Sequence, residues 1–154
     1  MGKKIIIGQD QFLIEYGHGI SIDYGCFVGK AWGQEIIIHN GDDYCGKVLL
    51  FKPNAKFSFH FHVQKKETWY VQSGQLTLRF LDTTNGTDTY ECELTKGCVV
   101  HIPPGVPHQL IAGDTGAVVF EASTPHKDSD SYRIEGGDSQ NHPERLEDDH
   151  SYRI

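Results

Sequence analysis

Apolar residues return at short intervals along most of the chain, and their spacing follows the two-residue period of a strand rather than the 3.6-residue period of a helix. The pattern predicts strands over Lys3–Ile7, Gly33–His39, Lys47–Lys52, Phe57–His62, Glu67–Gln72, Leu76–Leu81, Thr87–Leu94, Cys98–Ile102, His108–Ala112 and Ala117–Ala122. Turn-forming residues separate them: Asn40-Gly41-Asp42-Asp43, Ser73-Gly74, Asn85-Gly86, Lys96-Gly97 and Asp114-Thr115-Gly116. Asn85-Gly86 suits a type I′ hairpin, whose two central residues both need positive φ. No stretch before residue 125 has a helical period, so the chain reads as all-β, a sandwich or a closed barrel.

Alternation also sorts side chains onto faces. Along Phe57–His62 the phenylalanines Phe57, Phe59 and Phe61 are expected on one side, and Ser58, His60 and His62 on the other. A strand with aromatic residues on one face and imidazoles on the other is covered on both sides, so the histidines are expected to face an enclosed polar cavity. Five positions after His62 comes Glu67, and a third histidine, His108, follows the turn Pro103-Pro104-Gly105-Val106-Pro107. Imidazole and carboxylate are what a divalent transition metal takes as ligands on such a scaffold.

The spacing is H-x-H-x4-E-x6-G over residues 60–74 and G-x5-P-x-G-x2-H over 97–108. It resembles the two signature motifs of the cupin superfamily, across roughly residues 27–124. The resemblance implies a jelly-roll β-barrel (a double-stranded β-helix) in which His60, His62, Glu67 and His108 hold one divalent metal. Zinc, manganese, iron, nickel and cobalt all remain open as its identity. Asn54 stands where the first motif usually opens with glycine, and Ala112 where the second usually closes with asparagine. Neither is a ligand, and asparagine tolerates the left-handed conformation.

Three further segments are similar to type II phosphomannose isomerases and related short sugar cupins. They are Trp32-Gly33-Gln34-Glu35, Tyr44-Cys45-Gly46-Lys47, and Glu121-Ala122-Ser123-Thr124 with the stretch Asp128-Ser129-Asp130-Ser131-Tyr132-Arg133. The resemblance implies a metal-dependent aldose–ketose isomerase acting on a sugar or sugar phosphate, like mannose-6-phosphate isomerase. A non-catalytic sugar-binding or regulatory cupin, and an Fe(II)-dependent dioxygenase, are the rival readings. Isomerisation needs a group to carry a proton between adjacent carbons, and Glu35, Glu121, Lys47 and His101 are the candidates. Each has a structural alternative: Glu35 as a turn cap, Glu121 as the partner of a ligand histidine, Lys47 as a surface charge, His101 as a core histidine. Candidate substrate contacts are Trp69, Arg79, Lys56 and Arg133, with Lys65 and Lys66 also available to a phosphate. Core packing competes for Trp69, and a solvated surface position for Arg79.

Composition narrows the partners. A net charge of −7 with no basic patch argues against nucleic acid and anionic membrane. No apolar run is long enough to span a bilayer, and the stretch after Lys3-Lys4 is too short for a signal peptide, so a cytoplasmic protein is expected. Cys26, Cys45, Cys92 and Cys98 form no CxxC pair and are expected as buried free thiols. The domain reading is an N-terminal segment 1–26, a barrel 27–124 and a polar C-terminal extension 125–154. Residues 136–154 are expected to be disordered or partner-dependent. The apolar Ile5–Ile7 is too sticky for a bare sheet edge, which with the resemblance implies a homodimer.

Overall fold

The computed structural model describes residues 14–16 and 20–146. Its strands are β1 (Ile14–Tyr16), β2 (Ile20–Ile22), β3 (Cys26–Lys30), β4 (Gly33–Asn40), β5 (Cys45–Phe51), β6 (Phe59–Phe61), β7 (Glu67–Leu81), β8 (Thr89–Leu94), β9 (Val99–Ile102), β10 (His108–Ser123) and β11 (Tyr132–Glu135). One short helix, α1 (Asp138–Asn141), follows β11. β1 and β2 pair with each other, and the other nine form one antiparallel sheet in the order β11-β6-β10-β5-β4-β3, with β7 joining β10 to β8 and β9. This is a mostly β, jelly-roll-type fold. The expected strand Lys3–Ile7 lies outside the described residues.

Two pairs of expected strands are each one long strand. Glu67–Gln72 and Leu76–Leu81 merge into β7, and His108–Ala112 and Ala117–Ala122 into β10. Ser73-Gly74 and Asp114-Thr115-Gly116 make an irregularity where the register between β7 and β10 shifts, instead of two turns. Gly74 has φ +80 and packs so closely on Gly116 and Ala117 that a side chain there would collide with them. Asn85-Gly86 is not a type I′ turn either, since only Gly86 has positive φ. The Asp82 side chain captures Thr84 and Asn85, and the Gly86 N–H bonds the Asp82 carbonyl. Asn54 does take the left-handed conformation, at φ +59.

The core lies between the faces of β5, β7 and β10. Trp32, Leu49, Phe51, Trp69, Val71, Leu76, Leu78, Leu110 and Val119 are buried there, with Trp32 stacked on Phe51. Burial of this many large side chains is the main force ordering the sheet. All four cysteines are free, but only Cys45 is buried; Cys98 is half-buried, and Cys26 and Cys92 are exposed.

Residues 136–146, part of the stretch expected to be disordered or partner-dependent, carry α1 and a 3-10 turn tied to the sheet by polar contacts. Asp138 accepts the Lys56 N–H at 3.0 Å, and the Ser139 hydroxyl accepts that of Ala31 at 3.2 Å. Just before them, β11 adds to the sheet edge beside β6. Hydrogen bonds to backbone rather than apolar burial dock this segment, and so its low hydrophobicity did not prevent order.

Candidate metal centre

His60 lies on β6, His62 just beyond it, and His108 opens β10, where it pairs directly with His60. The strand expected over Phe57–His62 is shorter than its alternation predicts. β6 begins only at Phe59, so Phe57 escapes the alternation and turns inward, 5.2 Å from the His60 ring. Phe59 and Phe61 keep the opposite face, Phe59 buried and Phe61 stacked on Tyr132.

One ring nitrogen from each of His60, His62 and His108 lies within 4.8 Å of the others, and all three side chains are buried. Each Nδ1 faces a main-chain carbonyl: Ser58 for His60 at 2.8 Å, Asp130 for His62 at 2.8 Å, and Val106 for His108 at 2.9 Å. A carbonyl can only accept, so every Nδ1 carries the proton and every Nε2 is left with a lone pair. Burial, and then the neighbouring His108, push the His60 ring down to about 3; burial also lowers His62. Both are therefore neutral imidazoles near pH 7, the form a metal requires.

Two further atoms show that a cation fits. His108 Nε2 and Glu67 Oε2 are buried, 3.1 Å apart, and neither makes a hydrogen bond. Glu67 Oε2 is also 3.7 Å from His62 Nε2. Orphaned buried polar atoms are costly, and a divalent cation among them would satisfy both. Burial alone would raise the Glu67 carboxyl, but the Lys65 ammonium beside it holds it well below the ordinary range.

His60, His62 and Glu67 line a cavity of about 640 Å³ that mixes aromatic and aliphatic walls with charged groups, and His108 lies buried behind them. Of the candidate proton carriers, Glu35, Lys47 and Glu121 line it and His101 does not. Lys47 Nζ lies 3.6 Å from Glu35 Oε2, and Lys47 is buried rather than exposed. Glu121 Oε2 accepts from Lys65 Nζ at 2.9 Å and from the Ser123 hydroxyl at 3.2 Å. Burial, and then the charge of Glu67, raise the Glu121 carboxyl. His101 points away on the exposed side of β9, 3.0 Å from the Thr68 hydroxyl, while Val100 and Ile102 take the inward positions.

Among the substrate candidates Arg133 and Lys65 line the cavity. Trp69 is core, 5.2 Å edge-on from the His108 ring. Arg79 faces outward because Leu78 and Phe80 pack inward; it makes a two-pronged pair with Glu135 and lies over the Phe59 ring. Lys56 is held at the foot of α1 by its own N–H. Lys66 is exposed, and Lys65 is no surface cation but bridges Glu67 and Glu121.

Three contributors were absent from the sequence reading. Asp130 supplies the carbonyl for His62, and its carboxylate accepts the N–H groups of Val63, Gln64 and Lys65. Ser58 supplies the carbonyl for His60. His126 lines the cavity with its backbone fixed by both polar atoms of the Asn40 amide. The Asp-rich stretch before Arg133 was the available signal for Asp130.

Comparison with known proteins agrees with this geometry. Residues 47–124 match the Cupin_2 cupin domain. The chain belongs to the cupin family. It is 30% identical over 97 residues to a mannose-1-phosphate guanylyltransferase of Salmonella muenchen, covering 61% of this chain and 20% of that protein. It is 29% identical over 123 residues to a D-lyxose ketol-isomerase of a Thermofilum species, covering 66% of this chain and 68% of that one. Among solved structures, the capsular polysaccharide assembling protein CapF from Staphylococcus aureus superposes with a TM-score of 0.65 at 26% identity, over 74% of this cupin and 35% of CapF. This cupin thus spans only a fifth of the guanylyltransferase and about a third of CapF. Its His60, His62 and His108 cluster is able to coordinate a divalent metal ion. No helix among the described residues is long and apolar enough to cross a membrane.

Proposed function

We propose that this cupin is a metal-dependent aldose–ketose isomerase acting on a sugar or sugar phosphate, with Glu67 as the fourth protein ligand beside His60, His62 and His108. The observation that carries the reading is that His60 and His62 of the buried imidazole triad line a cavity that Glu35, Glu121 and Lys47 also line. Similarity to a D-lyxose ketol-isomerase supports it, since that relative is matched over 68% of its length.

A bound divalent metal would polarise the carbonyl and hydroxyl oxygens of the substrate and stabilise the negative charge that develops on them. Glu121 takes the proton from one substrate carbon and returns it to the next. Its burial beside Glu67 favours the protonated form that it must pass through. The Glu35–Lys47 pair offers an acceptor and a donor to the sugar hydroxyls. Trp32 and Phe57 give an apolar wall against a sugar ring and limit water. Arg133 and Lys30 are the cations available to a phosphate.

The test is an assay of purified protein with D-lyxose, D-mannose and mannose 6-phosphate, with manganese, cobalt, zinc or iron and with chelator, while oxygen is monitored. The expected result is ketose formation that chelator abolishes, without oxygen uptake. Oxygen consumption with iron, or ligand-induced thermal stabilisation with no turnover of any aldose, would overturn it.

We also read this cupin as a homodimer that pairs through the outer face of its sheet. Cross-strand register lines up Val99, Tyr70, Phe120, Val48, Ile36 and Phe27 in one row over β9, β7, β10, β5, β4 and β3. Val99, Tyr70, Phe120 and Phe27 are exposed. A continuous apolar row of this length exceeds what a monomer usually leaves in water, and a two-fold axis lets one such row cover its copy.

A further inference from the structure

Lys65 is 3% exposed, and it sits where the metal centre, the acid–base carboxylate and the C-terminal segment meet. Its ammonium has three protons, and three acceptors surround it. Glu121 Oε2 is at 2.9 Å, Glu67 Oε1 at 3.0 Å and His126 Nδ1 at 3.3 Å. His126 passes the bonding on, since its Nε2 proton faces Asp128 Oδ1 at 3.1 Å. No proton of Lys65 is left over for a substrate.

The two oxygens of Glu67 are consequently unequal. Oε1 holds the ammonium, whereas Oε2 makes no hydrogen bond and lies beside the Nε2 atoms of His108 and His62. We propose that Lys65 is a positioning residue that ties down one oxygen of Glu67, so that Glu67 meets the metal through Oε2 alone. The inference rests on the reading of Glu67 as a ligand. A carboxylate free to rotate would present both oxygens and fill two coordination positions. With one oxygen restrained, a position stays open for a substrate oxygen. The same ammonium grips Glu121, so the metal ligand and the proton carrier are set by one clamp.

A positioning role and a purely electrostatic one have opposite signs. A nearby cation repels a divalent ion, so if Lys65 acted only through its charge, removing it would tighten metal binding. Loss of a clamp on a ligand weakens binding, typically by about 10–100-fold.

The experiment is titration of the wild type, Lys65→Met and Lys66→Met with Co(II). Affinity is read by competition with a chromogenic chelator, and coordination by the visible d–d spectrum. Lys65→Met is expected to bind Co(II) about 10–100-fold more weakly with an altered d–d spectrum. Lys66→Met, an exposed neighbour, is expected to match the wild type. Binding by Lys65→Met as tight as wild type, or tighter, overturns the proposal. Should Lys65→Met fail to fold because Glu67 and Glu121 then repel, the double variant Lys65→Met/Glu121→Met removes that repulsion and is expected to show the same weakening. Glu67→Ala separates the two layers of the argument. A wild-type Co(II) spectrum in Glu67→Ala removes Glu67 from the ligand set and the reading beneath the proposal with it. A changed spectrum there, with wild-type binding in the Lys65 variants, keeps the ligand and removes the clamp.

Discussion

The main-chain carbonyl of Asp130 accepts the Nδ1 proton of His62 at 2.8 Å, across 68 positions of sequence. The Asp130 carboxylate meanwhile takes N–H groups from Val63, Gln64 and Lys65. One residue of the C-terminal segment therefore fixes both the tautomer of a metal ligand and the loop that follows it. Asp130→Ala is expected to cost about 1–3 kcal/mol, because the buried N–H of Lys65 and the part-buried ones of Val63 and Gln64 lose their acceptor. Denaturant melts would measure this, and hydrogen exchange should quicken at the amides of residues 63–65. Unchanged protection there would show that the loop holds itself.

His62→Ala deletes one of three nitrogens from the triad. Metal analysis after gel filtration is expected to find the variant empty under conditions that load the wild type. The sheet should survive, because His62 lies outside the apolar cluster around Trp69 and Leu110. Unchanged metal content with native circular dichroism would dismiss the triad as the site.

Arg79 and Glu135 tie β11 to the outside of β7 through two hydrogen bonds of 2.7 and 3.0 Å. The Arg79 guanidinium, by hydrogen bond and then by charge, holds the Glu135 carboxyl below its ordinary value. A depressed carboxyl contributes stability above its unfolded pKa of about 4.3, and that contribution fades as pH falls through the lower folded value. The Glu135 side chain is 53% exposed, so solvent screening keeps the gain below about 1 kcal/mol. Urea melts of Glu135→Gln and the wild type should differ slightly at pH 7 and converge in acid or in 1 M salt, about three times past the screening of physiological buffer. A gap that persists in acid would assign the effect to packing.

Phe120 stands mid-row on the outer face, between Tyr70 and Val48. Phe120→Lys is expected to halve the mass seen by light scattering while leaving the metal content intact. A wild-type mass in that variant would move the interface elsewhere.

The imidazole triad was legible because histidines at fixed spacing carry their chemistry in their identity, and two glycine turns framed them. His101 was misplaced for a reason of parity. Val99, Val100 and Ile102 are all apolar, so the alternation that decides which way a strand residue points is ambiguous there. β7 and β10 were each divided because Gly74 and Gly116 have the same composition signal in a bulge as in a turn. The order of residues 136–146 was hidden for a different reason. Asp138 and Ser139 bind main-chain groups, and a main-chain partner leaves no mark on the sequence of the strand that it serves.

Timing follows from the reach of residue 130 back to His62. A nascent chain halted at residue 125 would own all three imidazoles, yet the ring of His62 would lack the carbonyl that dictates which nitrogen stays bare. The centre is therefore complete only once the segment that carries residue 130 has docked, and metal offered before then would meet an unfinished receptacle.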